Sequence, residues 1–138
     1  MVIARFKPAI IARGKAQHPQ YQIGAVIYYK SQVVSSGYNV LHKTHPLCDF
    51  HTYGRPVTIH AEAMAIAKAK TFINNLTASQ KKKLSIYIYR EHKNGQPALA
   101  APCDGCRNLL IEVGIAQINF TTETGFQGQR YSIYGSVT

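Results

Sequence analysis

The residues of this chain whose types and spacing can do chemistry are His60-Ala61-Glu62 and the pair of cysteines in Pro102-Cys103-Asp104-Gly105-Cys106. One imidazole and two thiolates are ligands for zinc. Three protein ligands rather than four leave a coordination position for water, which marks a catalytic rather than a closed structural site. The two thiolates cancel the charge of the dication, so water in the open position meets a Lewis acid that activates it without holding hydroxide too tightly. Glu62 falls on the first turn of a predicted helix, two residues past His60, where it can reach that water instead of the metal. Together these residues describe a hydrolytic metal site.

Taken separately, each half is ambiguous. A C-x-x-C pair also serves as half of a structural zinc site or as a redox dithiol, and an isolated H-x-E says little. Their joint occurrence, in this order and each opening an apolar helical stretch, favours the hydrolytic site. The redox alternative also gives His60 and Glu62 no role. His60 and Cys103 are 43 positions apart, too far for a local zinc knuckle, so the fold must bring two helix starts together. Helix N-termini suit the purpose, because their unpaired NH groups and dipole favour anionic sulfur.

The elements that would position these residues follow from periodicity and punctuation. A first helix is predicted over Pro8 to about Gln17, with Ile10 and Ile11 on its buried face and His18-Pro19 ending it. Gln22 to Tyr29 and Gln32 to Tyr38, rich in β-branched and aromatic residues, read as a hairpin turning at Lys30-Ser31. A long loop, Asn39 to Val57, leads into the first metal-bearing helix, about Thr58 to Leu76, whose inward face is Ala61, Ala65, Ile66, Ala69 and Ile73. Leu84 to Tyr89 is the next strand and Lys93-Asn94-Gly95 a turn. The second metal-bearing helix is Asp104 to Val113, stopped by Gly114, and Ile115 to Thr121 and Tyr131 to Tyr134 are the last strands. The order α-β-β-α-β-α-β-β implies an α/β fold with a mixed sheet flanked by helices.

Length and composition fit one domain spanning residues 1–138, large enough to bury a core without staples. Three cysteines, two of them assigned to zinc, argue against a secreted disulfide scaffold and for a reducing cytoplasm. The segment Met1 to Ile11 lacks the features of a signal peptide, and no stretch approaches membrane-spanning length, so no membrane partner is expected. Sixteen Lys and Arg against six Asp and Glu give a formal charge of +10, which favours phosphate-bearing partners. Free nucleotides and single-stranded nucleic acid both qualify.

On His60-Ala61-Glu62-Ala63 and Pro102-Cys103-Asp104-Gly105-Cys106, with Ile23-Gly24-Ala25-Val26-Ile27, Gly37-Tyr38-Asn39 and Gly114-Ile115, the chain resembles the zinc-dependent cytidine and deoxycytidylate deaminase superfamily, nearest its small nucleotide-deaminase branch. The resemblance runs from Ile11 to Thr121. It implies a cytidine-deaminase-like α/β/α sandwich with a five-stranded mixed sheet and helices on both faces, bound Zn2+, and a homo-oligomer. It further implies a hydrolase acting on the C–N bond of a cyclic amidine, in which water activated on the zinc attacks C4 of cytosine while Glu62 shuttles the proton. A free pyrimidine nucleotide such as dCMP, converted to dUMP, is the implied substrate; the alternative is cytosine in single-stranded DNA or RNA, or adenosine in tRNA. Asn39 would contact the sugar or base, and backbone groups near Ala61 and Ala101 would read the pyrimidine edge. The segment Val40 to Pro46 departs from the glycine- and proline-containing segment of allosterically regulated members, so triphosphate regulation is not expected.

Other residues admit two readings each. Lys43, His45 and Arg90 could hold a 5′-phosphate, since a dianion in a cleft needs charge-assisted donors, or could be solvated side chains. His45, Cys48 and His51 have a spacing that could hold a second metal, against a buried thiol beside surface histidines. Lys81 to Lys83 is a solvated connection or a nucleic-acid contact, and Tyr53 is an ordinary loop residue or a base-stacking one.

Overall fold

The computed structural model describes residues 2–15, 22–41, 58–92, 95–115 and 117–130. In chain order the elements are α1 (Val2–Arg13), β1 (Ile23–Tyr29), β2 (Gln32–Tyr38), β3 (Val40–Leu41), β4 (Thr58–Ile59), α2 (Ala61–Asn74), α3 (Ala78–Lys81), β5 (Leu84–Arg90), α4 (Asp104–Val113), β6 (Gln117–Thr122) and β7 (Gly125–Arg130). Five strands form one mixed sheet in the order β2-β1-β5-β6-β7, and β3 and β4 pair separately. Among the described strands only β5 and β6 run parallel, because α4 carries the chain back over the sheet between them.

β1 and β5 are central and buried on both faces, which explains their nearly unbroken apolar runs. Alternate residues serve two cores. Ala25, Ile27, Leu84, Ile86 and Ile88 point to the face covered by α2 and α4, where they meet Ala65, Ile66, Ala69, Ile73 and Leu110. Val26, Tyr28 and Tyr87 point the other way, to Phe6 and Ala9 of α1. The sandwich therefore has helices on both faces, and the five positions predicted for the inward face of α2 are all buried.

The first helix differs from expectation. It begins six residues before Pro8, which lies inside it, and it buries Phe6, Ala9 and Ala12, while Ile10 is half-buried and Ile11 is 61% exposed. Gly24 supplies the reason: a Cβ built there would lie 1.8 Å from the Ala9 carbonyl oxygen and 2.7 Å from Arg13 N. Helix and strand touch backbone to backbone, so the facing positions must be small, and the bulky isoleucines rotate outward. Burial of this face offsets the hydrogen bond that Pro8 cannot make.

α2 docks on β2 by the same device. A Cβ at Gly37 would fall 2.4 Å from the Ala61 carbonyl oxygen and 2.7 Å from Ala65 N, and the buried Ser35 hydroxyl donates to the Ala65 carbonyl at 2.7 Å. Gly37→Ala must therefore push the first turn of α2 away from the sheet. We expect a loss of about 2 to 3 kcal/mol, seen as a fall of roughly 5 to 10 °C in the thermal midpoint; an unchanged midpoint would show that the helix seat is soft.

The remaining differences concern ends and edges. The predicted helix start at Thr58 is instead β4, in keeping with β-branched Thr58 and Ile59, and the helix begins at Ala61. A short α3 occupies the lysine connection, closed by a capping box between Thr77 and Gln80. The strand expected at Ile115 begins at Gln117. The last described strand is β7, whose Gly-Phe-Gln-Gly-Gln-Arg sequence carries no strand pattern; the strand expected over Tyr131 to Tyr134 lies outside the described residues. As predicted, Gly114 ends α4 in the left-handed conformation, φ 100°. Among the described residues no helix is long and apolar enough to cross a membrane.

Candidate metal centre

The two helix starts converge. His60 is the N-cap of α2 in an extended conformation, and its side chain makes no capping hydrogen bond, so the imidazole is not spent on the helix end. Cys103 is the N-cap of α4, and its sulfur accepts from the Cys106 amide at 3.4 Å. His60 Nδ1 lies 3.2 Å from Cys106 Sγ and 3.9 Å from Cys103 Sγ, and the three ligand atoms all fall within 4.8 Å of one another. Around one tetrahedral zinc with ordinary bond lengths, neighbouring nitrogen and sulfur atoms stand about 3.6 Å apart. The observed separations bracket that value, so the nitrogen and two sulfurs fit Zn2+.

Glu62, on the first turn of α2, is 5% exposed. Burial holds its carboxyl above the usual carboxylate range, opposed by its own backbone amide, by His60 and by a hydrogen bond to Cys106, while Cys103 adds to the rise. His60 is also raised, first through its contact with Cys103. A dication among these groups would reverse the balance at the ligands, holding the imidazole neutral and the thiols ionised.

The other sequence-selected residues are placed as follows. Asn39, 7% exposed, follows β2; its Oδ1 accepts from Ile23 N at 2.9 Å, so the carboxamide is fastened to the start of β1. Ala61 is buried against Gly37, and Ala101 is exposed on the segment leading to Cys103. Arg90 ends β5 and donates from its guanidinium to the Leu99 carbonyl at 3.2 Å. Lys43 and His45, like Cys48, His51 and Tyr53, lie outside the described residues. One residue that motif reading passed over is Thr121. Its hydroxyl, buried near the end of β6, joins three separate backbone groups, and a threonine inside a strand-like run gives no signal of that.

The cytidine and deoxycytidylate deaminase zinc-binding region matches residues 5–122. The chain belongs to this family of zinc-dependent hydrolases acting on C–N bonds. Its fold is similar to that of a cytidine deaminase from Burkholderia pseudomallei, with 23% identity, 94% of this chain and 92% of that one covered, and a TM-score of 0.63. It is also similar to a dCMP deaminase from the cyanophage S-TIM5 in apo form, at 19% identity, 84% and 78% coverage and a TM-score of 0.55. A cytidine deaminase from Mycobacterium leprae gives 23%, 88% and 87%, and 0.53. At these identities the likeness is one of fold. No curated protein matches the sequence.

Proposed function

We propose that the protein deaminates cytosine in a free pyrimidine nucleotide, dCMP or a close relative, to the corresponding uracil compound and ammonia. The observation that carries the reading is the buried carboxylate of Glu62 beside an N, S, S ligand set. His60, Cys103 and Cys106 hold the zinc, whose contribution when bound is Lewis acidity sufficient to bring the pKa of water near 7. Glu62 accepts the proton of the attacking water and delivers it to ring N3 as the C4–O bond forms. It then takes the remaining proton from the new C4 hydroxyl and passes it to the exocyclic amine, so that the C4–N bond breaks, ammonia leaves and the C4 carbonyl forms. Asn39 and the backbone near Ala61 and Ala101 orient the base and sugar, and Lys43, His45 and Arg90 are the candidates for the 5′-phosphate.

The +10 charge favours a second reading, in which the substrate is a single-stranded nucleic acid. The placement of the densest basic run weighs against it. Arg90 pairs with Ile23, next to Asn39 and the site, whereas Leu84 pairs with Tyr29, and the Lys83 carbonyl accepts from Lys30 N at the opposite end of the strand. Lys81 to Lys83 thus stand about 20 Å from the site along β5, where they would not line the path of a base entering it. Ammonia release measured across dCMP, CMP, dCTP, deoxycytidine, single-stranded DNA and tRNA tests the choice. Turnover confined to monomers is the expected pattern; turnover confined to polymers would transfer the assignment to the second reading. The cyanophage enzyme similar in fold has been crystallised with dCMP and dUMP, which makes dCMP the first substrate to try.

A further inference from the structure

We propose that Thr121 is a positioning residue that sets the cysteine half of the metal centre by fastening the segment that leads into it. The parallel ladder between β5 and β6 has its last register pair at Ile88 and Phe120. Beyond that point the Thr121 side chain, 4% exposed, takes over the joining. Its Oγ1 accepts from Arg90 N at 3.1 Å and donates to the Ala98 carbonyl at 2.7 Å, with the Arg90 carbonyl a more distant acceptor at 3.2 Å. The backbone carbonyl of Thr121 accepts from Ala100 N at 2.9 Å, and Ala98 N donates to the Arg90 carbonyl at 3.0 Å. Ala98 and Ala100 are thereby laid down as a short, buried third rung between the ends of β5 and β6. Arg90 adds a clamp from outside through its bond to the Leu99 carbonyl.

Only Ala101 and Pro102 separate Ala100 from Cys103, and the ring of Pro102 fixes φ. Wherever Ala98 and Ala100 are held, Cys103 and the first turn of α4 are held too. His60 reaches the same point by a separate route, through α2 and its seat on Gly37. The meeting of the two half-sites thus depends on the rung that Thr121 makes. A displacement of the order of 1 Å at a reacting centre is worth about 100-fold in rate, and groups that orient ligands cost about 10- to 100-fold in metal affinity when removed.

This inference rests on the zinc assignment for His60, Cys103 and Cys106 but needs no particular substrate, so its test is read on the metal. Thr121→Val keeps the shape and removes the hydroxyl that bonds the Arg90 amide and the Ala98 carbonyl. Zinc affinity, measured by competition with a chromophoric chelator, should fall about 10-fold or more, and the thiolate-to-metal absorption of the Co2+-loaded protein should change. Thr121→Ser, which restores the hydroxyl, should return both to near wild type. Val26→Ala, a cavity on the opposite face of the sheet, controls for general destabilisation: the thermal midpoint should drop while zinc affinity stays within about twofold. If Thr121→Val behaves like Val26→Ala, or if Thr121→Ser fails to restore the metal site, the proposal is overturned. Should Thr121→Val not fold, Arg90→Met, which removes the clamp on Leu99 and keeps the Thr121 hydroxyl, must weaken zinc binding several-fold; unchanged affinity there overturns it equally. A wild-type chain that binds no zinc at all would instead sink the metal assignment, and this proposal with it.

Discussion

Glu62→Gln should abolish most of the turnover while leaving the metal in place. General acid–base transfer is worth roughly 100- to 10,000-fold, and the proposed cycle uses one carboxyl for every proton that moves, so kcat should fall toward the upper end of that range. Gln keeps the shape of the side chain and can still accept a hydrogen bond, but it cannot carry a proton between the water and ring N3. Zinc content should stay at one per chain, since Glu62 lies outside the group formed by the three ligand atoms. Stability should hold or rise, because Glu62 is almost fully buried and its charged form is disfavoured there. Metal analysis, thermal unfolding and ammonia release on one preparation check all three. A variant retaining more than about a tenth of wild-type turnover would remove Glu62 from the chemistry, whereas one that lost zinc would mean the carboxylate belongs to the coordination sphere.

The metal ligand set was legible in the sequence because coordination chemistry restricts residue types so severely. Few arrangements put one imidazole, two thiolates and an extra carboxylate at helix starts; Pro102 before Cys103 marked the start of α4, while the alanine-rich run located the start of α2 only to within three residues, since Thr58 and Ile59 belong to β4. The central sheet was legible for a related reason. β1 and β5 are covered on both faces, so their sequences are apolar throughout, and the periodicity of α2 named its buried face correctly. What escaped was set by backbone proximity, which leaves only a weak trace in residue type. Nothing at Gly24 announces that a helix carbonyl will sit where a Cβ would be, and that contact turns Ala9 inward and Ile11 outward. β7, an edge strand whose Phe126 packs toward Phe6, has little β propensity to display. Thr121 matters through a hydroxyl shared among main-chain groups, a function that any strand threonine could have or lack. Lys43 and His45, candidates for the phosphate as charge-assisted donors, lie outside the described residues.

Cys106→Ser should cost the metal and with it much of the stability of the α2–α4 side of the molecule. Cys106 is fully buried, and its sulfur makes the shorter of the two approaches to His60 Nδ1. A serine hydroxyl does not ionise at neutral pH as a thiol beside zinc does, so the dication would keep one thiolate, one imidazole and too little negative charge to stay. Because zinc binds the folded chain, its binding energy is stability: a site 100- to 1,000-fold above its dissociation constant adds about 2.7 to 4.1 kcal/mol. Wild-type protein stripped by a strong chelator should therefore unfold at a distinctly lower temperature than the loaded form. Cys106→Ser should unfold near or below the stripped value and should not respond to chelator or to added zinc. The comparison separates a metal ligand from a cysteine that only fills space. If Cys106 served packing alone, substitution would lower the midpoint of loaded and stripped protein by the same amount, and the response to chelator would survive.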